Sequence, residues 1–278
     1  MPSDKRARQR AAREARLAAE AKSKKRRSQT RNVIVVVVIL AVIVGIAFLV
    51  SGNSPKKKKP TEAAKTATTT TTATTAANAK AQAAANALAV KAGCPASTSA
   101  RVNTLKYTSA PAMTLNTKDL YSAVVVTTEG TFTIALDAKS APTTVNSFVF
   151  LADKGYFHCN IFHRVIPGFV DQTGDPTGTG TGGPGYEFAN ENIPKAYATG
   201  DVAMANSGAN TNGSQFFIVV PGGATQLDAD IASGGYSLFG SIPAGLNVVE
   251  AINAQGTQAG TPAVVQRILS VTIHEAGS

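Results

Sequence analysis

Tyr121-Ser-Ala-Val-Val-Val-Thr-Thr128 and Thr131-Phe-Thr-Ile-Ala-Leu-Asp137, separated by Glu129-Gly130, form the stretch on which the reading of the fold turns. Both runs are rich in β-branched and aromatic residues, and a two-residue spacer is what a hairpin uses. Just downstream, Pro142 suits the first position of a helix, and Val145, Phe148, Val149 and Ala152 recur at i, i+3, i+4 and i+7 before Gly155 stops the pattern. Further short β-type runs lie at residues 161–164, 169–172, 202–205, 216–220, 237–240 and 264–275, with a second short helix at 244–254. Many short strands with two helices predict a mainly-β fold, a closed antiparallel β-barrel with helical plugs.

Upstream of this region the composition changes abruptly. Residues 51–93 are built from Lys, Thr, Ala and Pro, including ATTTTTATTAA at 67–77, and hold too few large apolar side chains to bury a core. They read as a flexible linker with an r.m.s. span of roughly 35 Å for a coil of that length. Within it, residues 81–90 (AQAAANALAV) could form a short helix, although isolated helices of that length are marginal in water.

Before the linker, the run VIVVVVILAVIVGIAFLV opens on Val33 and closes on Val50 without a charge or a proline. As a helix it spans roughly 27 Å, close to the hydrocarbon thickness of a bilayer. A cleavable signal peptide is the competing reading. The 32-residue basic leader is long for a signal n-region, and no A-x-A site follows Val50, so the run reads as an uncleaved signal anchor held in membrane lipid. Residues 16–32 carry seven Lys or Arg against five in residues 51–67, which places the N-terminus in the cytoplasm and the globular part outside.

The net charge of +10 is uneven. Residues 1–31 carry a net +9 and residues 51–93 a net +6, whereas residues 94–278 carry −5. All the basic excess lies outside the part that can fold, so nucleic-acid binding by the globular domain is disfavoured. The organisation expected is a basic leader (1–32), a transmembrane anchor (33–50), the linker (51–93), a lead-in (94–117) and a globular domain (118–278).

Two segments carry a more specific signal than any periodicity. They are Phe162-His-Arg-Val-Ile-Pro-Gly-Phe-Val-Asp-Gln-Thr-Gly-Asp175 and Met204-Ala-Asn-Ser-Gly-Ala-Asn-Thr-Asn-Gly-Ser-Gln-Phe-Phe217, followed by Tyr236-Ser-Leu-Phe-Gly240. Together they resemble the signature of cyclophilin-type peptidyl-prolyl cis/trans isomerases, here in a bacterial, membrane-anchored form, over roughly residues 118–276. The resemblance implies an eight-stranded closed barrel capped by two helices, with a groove on its outside. Position by position, it implies catalytic roles for Arg164, Phe169 and Gln172, and substrate contacts from Val170, Ala205, Asn206, Gln215, Phe217, Leu227 and Tyr236. It implies no cofactor and no metal. The expected partners are proline-containing polypeptides, exported or cell-surface proteins during folding, with a monomeric catalytic domain.

The chemistry those residues would serve needs no nucleophile. Rotation about the bond before proline is opposed by the loss of amide resonance, about 18 to 20 kcal/mol. An apolar cup of Phe169, Val170, Phe217 and Leu227 can grip the pyrrolidine ring while Gln172 and the Asn206 backbone hold the other side, favouring the twisted geometry. Arg164 supplies a permanently charged donor fork where electron density collects as resonance is lost. None of these groups titrates near neutrality, which predicts activity that is nearly flat from about pH 5.5 to 8.5. A binding module that grips proline segments without turnover is the alternative reading.

The sequence departs from the family's pattern at three places: Thr173 where glycine is common, Tyr236 where animal members often carry His, and Gln226 near a frequent Trp. Residues 178–183 (GTGTGG) satisfy G-x-G-x-x-G but lead into Pro184-Gly185 rather than a helix, so a dinucleotide site is not expected. His158, Cys159 and His163 lie close in sequence without a fourth ligand, and no metal is expected there. The chain's two cysteines, Cys94 and Cys159, both fall on the side of the membrane read as oxidising, which suggests a disulfide between the lead-in and the approach to Arg164.

Overall fold

The computed structural model describes residues 62–277. The hairpin forms as β1 (Leu120–Thr127) and β2 (Thr131–Leu136), with Tyr121 facing Leu136 and Val126 facing Thr131. Along β1 the side chains of Tyr121, Ala123, Val125 and Thr127 are buried while their neighbours are not, as a pleated strand with one core face requires. Helix α2 (Pro142–Asp153) starts on its proline and buries Val145, Phe148, Val149, Leu151 and Ala152. Strands β3 (Arg164–Ile166), β4 (Val170–Thr173), β5 (Asp201–Met204), β6 (Phe216–Val219), β7 (Leu238–Ala244) and β8 (Ile268–Ala276) complete one antiparallel sheet in the order β3-β4-β6-β5-β7-β2-β1-β8. Between β6 and β7 lie a short helix α3 (Ala224–Asp228) and a 3-10 turn (Ile231–Ser233), and α4 (Leu246–Asn253) precedes β8.

The interior is filled from the concave face of this sheet and from the two longer capping helices, α2 and α4. Phe148 stacks with Phe157 at 5.0 Å and meets Phe216 and Phe239 at 5.6 and 5.4 Å. Phe132, Ile134, Ile218, Val249 and Ile252 close the rest. A second, smaller cluster of Val170, Ala203, Phe217, Val219 and Leu227 lies on the outer side of β4, β5 and β6, and is the floor of the groove described below.

Two expectations are corrected here. The strand ladder does not close: it ends at β3 and β8, and it is the segment before β3 that reaches the start of β8, through the isolated Ile161–Arg267 bridge and the hydrogen bonds from Phe162 N to Gln266 O, Cys159 N to Ile268 O and Ile268 N to Asn160 O. β3 is three residues long, and Val165 N donates to Gly260 O of the turn before β8 instead of to a strand partner, so the fold is a curled sheet with a seam. The linker, read as a coil, is helical over α1 (Glu62–Lys91). Alanine has the highest helix propensity, and tertiary contacts hold the helix's last turns. Val265 N donates to Gln82 Oε1 at 2.7 Å, and Ala85 and Ala89 are buried. The compact unit starts at Lys65, so these turns belong to it.

No helix among the described residues is long and apolar enough to cross a membrane. The apolar run from Val33 to Val50 and the basic leader lie outside the described residues. The lead-in runs without regular secondary structure along helix α2 and the loop at 176–185, and is tied down by Asn146, whose Oδ1 accepts from Thr114 N and whose Nδ2 donates to Ala112 O.

Candidate active site

Adjacent short strands set one row of side chains across the outside of the sheet. Arg164 on β3 is in register with Gln172 on β4, and Gln172 with Phe217 on β6. Alternation along β4 then points Val170 and Gln172 toward the groove, and Asp171 and Thr173 toward the interior. The motif Arg-x4-Phe-Val-Asp-Gln thus becomes a surface because its two strands are antiparallel neighbours.

The groove is a cavity of about 320 Å³. Phe169, Val170, Phe217, Leu227 and Tyr236 form its apolar wall, and Arg164, Gln172, Ala205, Asn206 and Asp230 complete it. Gln215 instead lines an adjoining space of about 570 Å³, which shares Gln172, Ala205 and Asn206 with the groove. The structure therefore assembles the residues singled out by sequence in one place, with Gln215 one step outside. Asp230 was not anticipated. It lies in the long segment before Tyr236 and accepts a hydrogen bond from the Tyr236 hydroxyl at 3.1 Å.

The guanidinium of Arg164 sits over the Phe169 ring, 5.5 Å from its centroid, a distance at which the ring's π-face attracts a cation. Its Nη1 donates to Gln172 Oε1 at 3.3 Å, and Gln172 Nε2 donates to Gln215 Oε1 at 3.0 Å. The ring of Tyr236 stands edge-on to Phe217 at 5.2 Å. Tyr236 is fixed from behind by Tyr197, whose hydroxyl accepts from Tyr236 N at 2.7 Å and donates to Tyr236 O at 2.8 Å. Burial raises the Tyr236 hydroxyl above the usual tyrosine value, and the Asp230 carboxylate adds to this. Tyr197 is pushed up to about 12 by burial. Both phenols are thus neutral at working pH, and Tyr236 presents an uncharged aromatic face.

Two titratable groups flank the row. Asp171 is fully buried; burial pushes its carboxyl up to about 7, against a lowering hydrogen bond from Asn253 Nδ2 at 2.7 Å. It faces α4 rather than the groove. His163 precedes Arg164, and burial, with the neighbouring Arg164 charge, lowers its pKa below the usual histidine value.

The three departures from the family pattern have local explanations or none. Thr173 is buried and its hydroxyl donates to Ile161 O at 2.9 Å, which ties β4 to the entry of β3. Gln226 is exposed and lines neither cavity. The glycine run at 178–183 has no free phosphate cradle: the Asp175 carboxylate already accepts from the backbone N–H groups of Thr177, Thr179, Gly180 and Gly182. Burial alone would raise Asp175, but the Thr177 hydroxyl and these amides hold it below the usual carboxylate range.

Cys94 and Cys159 are joined by a disulfide, their Cα atoms 5.4 Å apart. His158 lies beside them, but its Nδ1 is bonded to Leu269 O and the sulfurs are bonded to each other, so this cluster offers no thiolate to a metal.

A family model described as cyclophilin type peptidyl-prolyl cis-trans isomerase/CLD matches residues 123–276. Peptidyl-prolyl cis-trans isomerase-like 1 of Aspergillus fumigatus is 44% identical over 129 residues, covering 45% of this chain and 76% of that protein. A probable peptidyl-prolyl cis-trans isomerase B of Mycobacterium tuberculosis is 40% identical over 173 residues, covering 55% of this chain and 54% of its own length. The crystal structure of a Cryptosporidium parvum cyclophilin type peptidyl-prolyl cis-trans isomerase superposes with a TM-score of 0.50 at 30% identity, covering 56% of this chain and 98% of that one.

Proposed function

This chain belongs to the cyclophilin-type peptidyl-prolyl cis-trans isomerases, and we propose that it turns X-Pro bonds in exported or cell-surface polypeptides while they fold. The observation that carries the catalytic part is the placement of Arg164: its guanidinium stands at the rim of an apolar cup, stacked on Phe169 and hydrogen-bonded to Gln172. A proline ring held against Phe169, Phe217, Leu227 and Tyr236 puts its nitrogen and the preceding carbonyl within the reach of that fork. As the bond twists, nitrogen regains its lone pair, and a donor preorganised there stabilises the twisted form more than either planar one. Gln172 steadies the fork, so little reorganisation is needed at the moment of rotation.

The location is read from three features. The apolar run from Val33 to Val50 has the length of a bilayer span, the cation excess on its N-terminal side orients it, and the Cys94–Cys159 pair suits an oxidising compartment. The protein is then a single-pass anchored isomerase, its catalytic domain a monomer outside the cytoplasm. Intact mass after alkylation of chain extracted from membranes tests the location: no free thiol is expected, and two alkylated cysteines would contradict it. For the reaction, the full-length chain should speed the slow, proline-limited phase of refolding of a client protein and leave its fast phases unchanged.

A further inference from the structure

We propose that residues 94–107, which precede the family match, are a positioning strap that sets the orientation of Gln172 and is clasped by the Cys94–Cys159 disulfide. The inference rests on the isomerase reading of the groove and adds a control point to it.

The strap touches the loop beside the adjoining space at three successive places. Val102 N donates to Pro176 O at 2.9 Å, Lys106 Nζ to Gly183 O at 2.5 Å, and Tyr107 N to Pro184 O at 2.8 Å. The approach is close. Gly185 has a φ of +98°, and a Cβ there would lie 2.6 Å from Tyr107 O. All the acceptors belong to the glycine-rich loop that starts at Asp175.

That loop dictates the polarity of the amide relay. Gln215 Nε2 gives its two hydrogens to Gly180 O and Gly182 O, at 3.0 and 2.9 Å. With both spent, only Gln215 Oε1 can face Gln172, so Gln172 must turn its Nε2 toward it. Gln172 Oε1 is then the atom presented to Arg164. Were the loop carbonyls to move away, the Gln215 amide could flip, Gln172 could follow, and Arg164 would meet an N–H group instead of an acceptor. Lys106 and Tyr107 are therefore positioning residues, acting on the reaction through the loop and two glutamines.

The strap is held at its start by an arrangement that needs the clasp. Arg267 is 1% exposed, its guanidinium donates to the backbone carbonyls of Pro95 and Ala96, and its Nε has no partner. Burying a guanidinium against neutral carbonyls alone is costly, and water competes for it whenever the strap lifts. The nearby apolar contacts are small: Ala89, Val102 and Leu269 around the two cysteines. Both cysteines are buried, so a dithiol reductant opens the clasp as local opening exposes it. The S–S bond breaks, each sulfur takes one electron and one proton, and the dithiol closes to its own disulfide. Opening removes the covalent tie at the strap's start and leaves Arg267 free to hydrate; the strap is then held by Asn103 Nδ2 on Tyr156 O at 2.8 Å and by Tyr107 against Phe150 at 4.9 Å, and its hold on the loop loosens.

The test uses the full-length chain with the disulfide intact, after dithiol reduction, and as the double variant Cys94→Ser/Cys159→Ser. Hydrogen exchange is followed at the amides of Val102, Tyr107, Gly180 and Gly182, alongside kcat and KM on one proline peptide. Opening the clasp should speed exchange at all four amides and lower kcat about three- to tenfold, with KM changing less than about twofold, as expected for misplacement of a group that acts in the transition state. Lys106→Met should reproduce part of the fall in kcat, and Lys106→Arg should restore it. The proposal is overturned if the strap amides exchange faster while kcat stays within about 20%, or if all four amides keep their protection when the clasp is open. Should the oxidised chain show no isomerase activity, the isomerase reading fails by itself, and exchange at Gly180 and Gly182 still decides whether the strap holds the loop.

Discussion

Arg164→Ala is expected to lower kcat/KM by about 10² to 10³, the usual effect of removing one donor aimed at charge that develops in the transition state. The side chain lies on an edge strand, partly buried, with Phe169 below it and Gln172 beside it, and it carries no part of the core. Truncation should therefore leave folding intact while removing about 3 to 4 kcal/mol of transition-state stabilisation. Arg164→Lys should recover only part of the loss, because an ammonium is a point charge and lacks the planar fork. A folded Arg164→Ala variant that kept more than about half of its activity would remove Arg164 from the mechanism.

The second large effect is on stability. Asp171 titrates near 7 in the folded chain against 3.8 for an unperturbed carboxyl, because burial beside Asn253 disfavours its charged form. Between those values the folded state holds a proton that the unfolded state has given up. The stability linked to Asp171 is thus fully present below about pH 3.8 and is lost as the pH rises through about 7, with a span on the order of 4 kcal/mol. Asp171→Asn should flatten that slope, as read from denaturant midpoints at pH 5 and pH 8. Activity per folded molecule should stay nearly level over the same range, since Asp171 points away from the groove, which presents Arg164, the amides of Gln172 and Asn206, and the Tyr236 phenol with its Asp230 carboxylate partner. A bell-shaped rate profile in folded protein would instead point to an acid–base step.

The groove was legible through the family resemblance carried by the motifs at 162–175 and 204–217, with Leu227 and Tyr236 added from outside them. Arg164, Gln172 and Phe217 needed only antiparallel pairing to become neighbours, and their strands pair in that way. The hairpin of β1 and β2 and helix α2 were equally plain, since each carries the period of its own secondary structure. What stayed hidden depends on contacts distant in sequence. Helix α1 docks through Gln82 and small alanines, which leave no apolar stripe to read. The seam between β3 and β8 comes from the turn at Gly260 taking the hydrogen bond of Val165. Asp171 falls on the inward face of Val-Asp-Gln, but its partner Asn253 lies far along the chain on α4. Asp230 sits between Leu227 and Tyr236, outside both motifs.

The extended strap changes how the domain's limits are understood. The resemblance to the family begins near the hairpin, yet the glycine-rich loop that borders the space adjoining the groove is contacted by residues upstream of it, from Val102 to Tyr107. Trimming the chain to the family match would remove Lys106 and the Cys94 half of the disulfide together. Activity measured on such a fragment would describe a different loop.

The central claim is that the groove speeds rotation about an X-Pro bond, beyond merely holding the segment. Magnetisation exchange between the cis and trans signals of a short Ala-Pro peptide, recorded with a catalytic amount of the full-length chain, measures this directly. The uncatalysed exchange takes tens to hundreds of seconds at 25 °C. The structure predicts exchange on a sub-second scale, with the cis/trans ratio unchanged and the acceleration lost in Arg164→Ala. Peptide signals that shift and broaden on binding while the cis–trans exchange keeps its uncatalysed rate would contradict the account and leave a proline-binding module in its place.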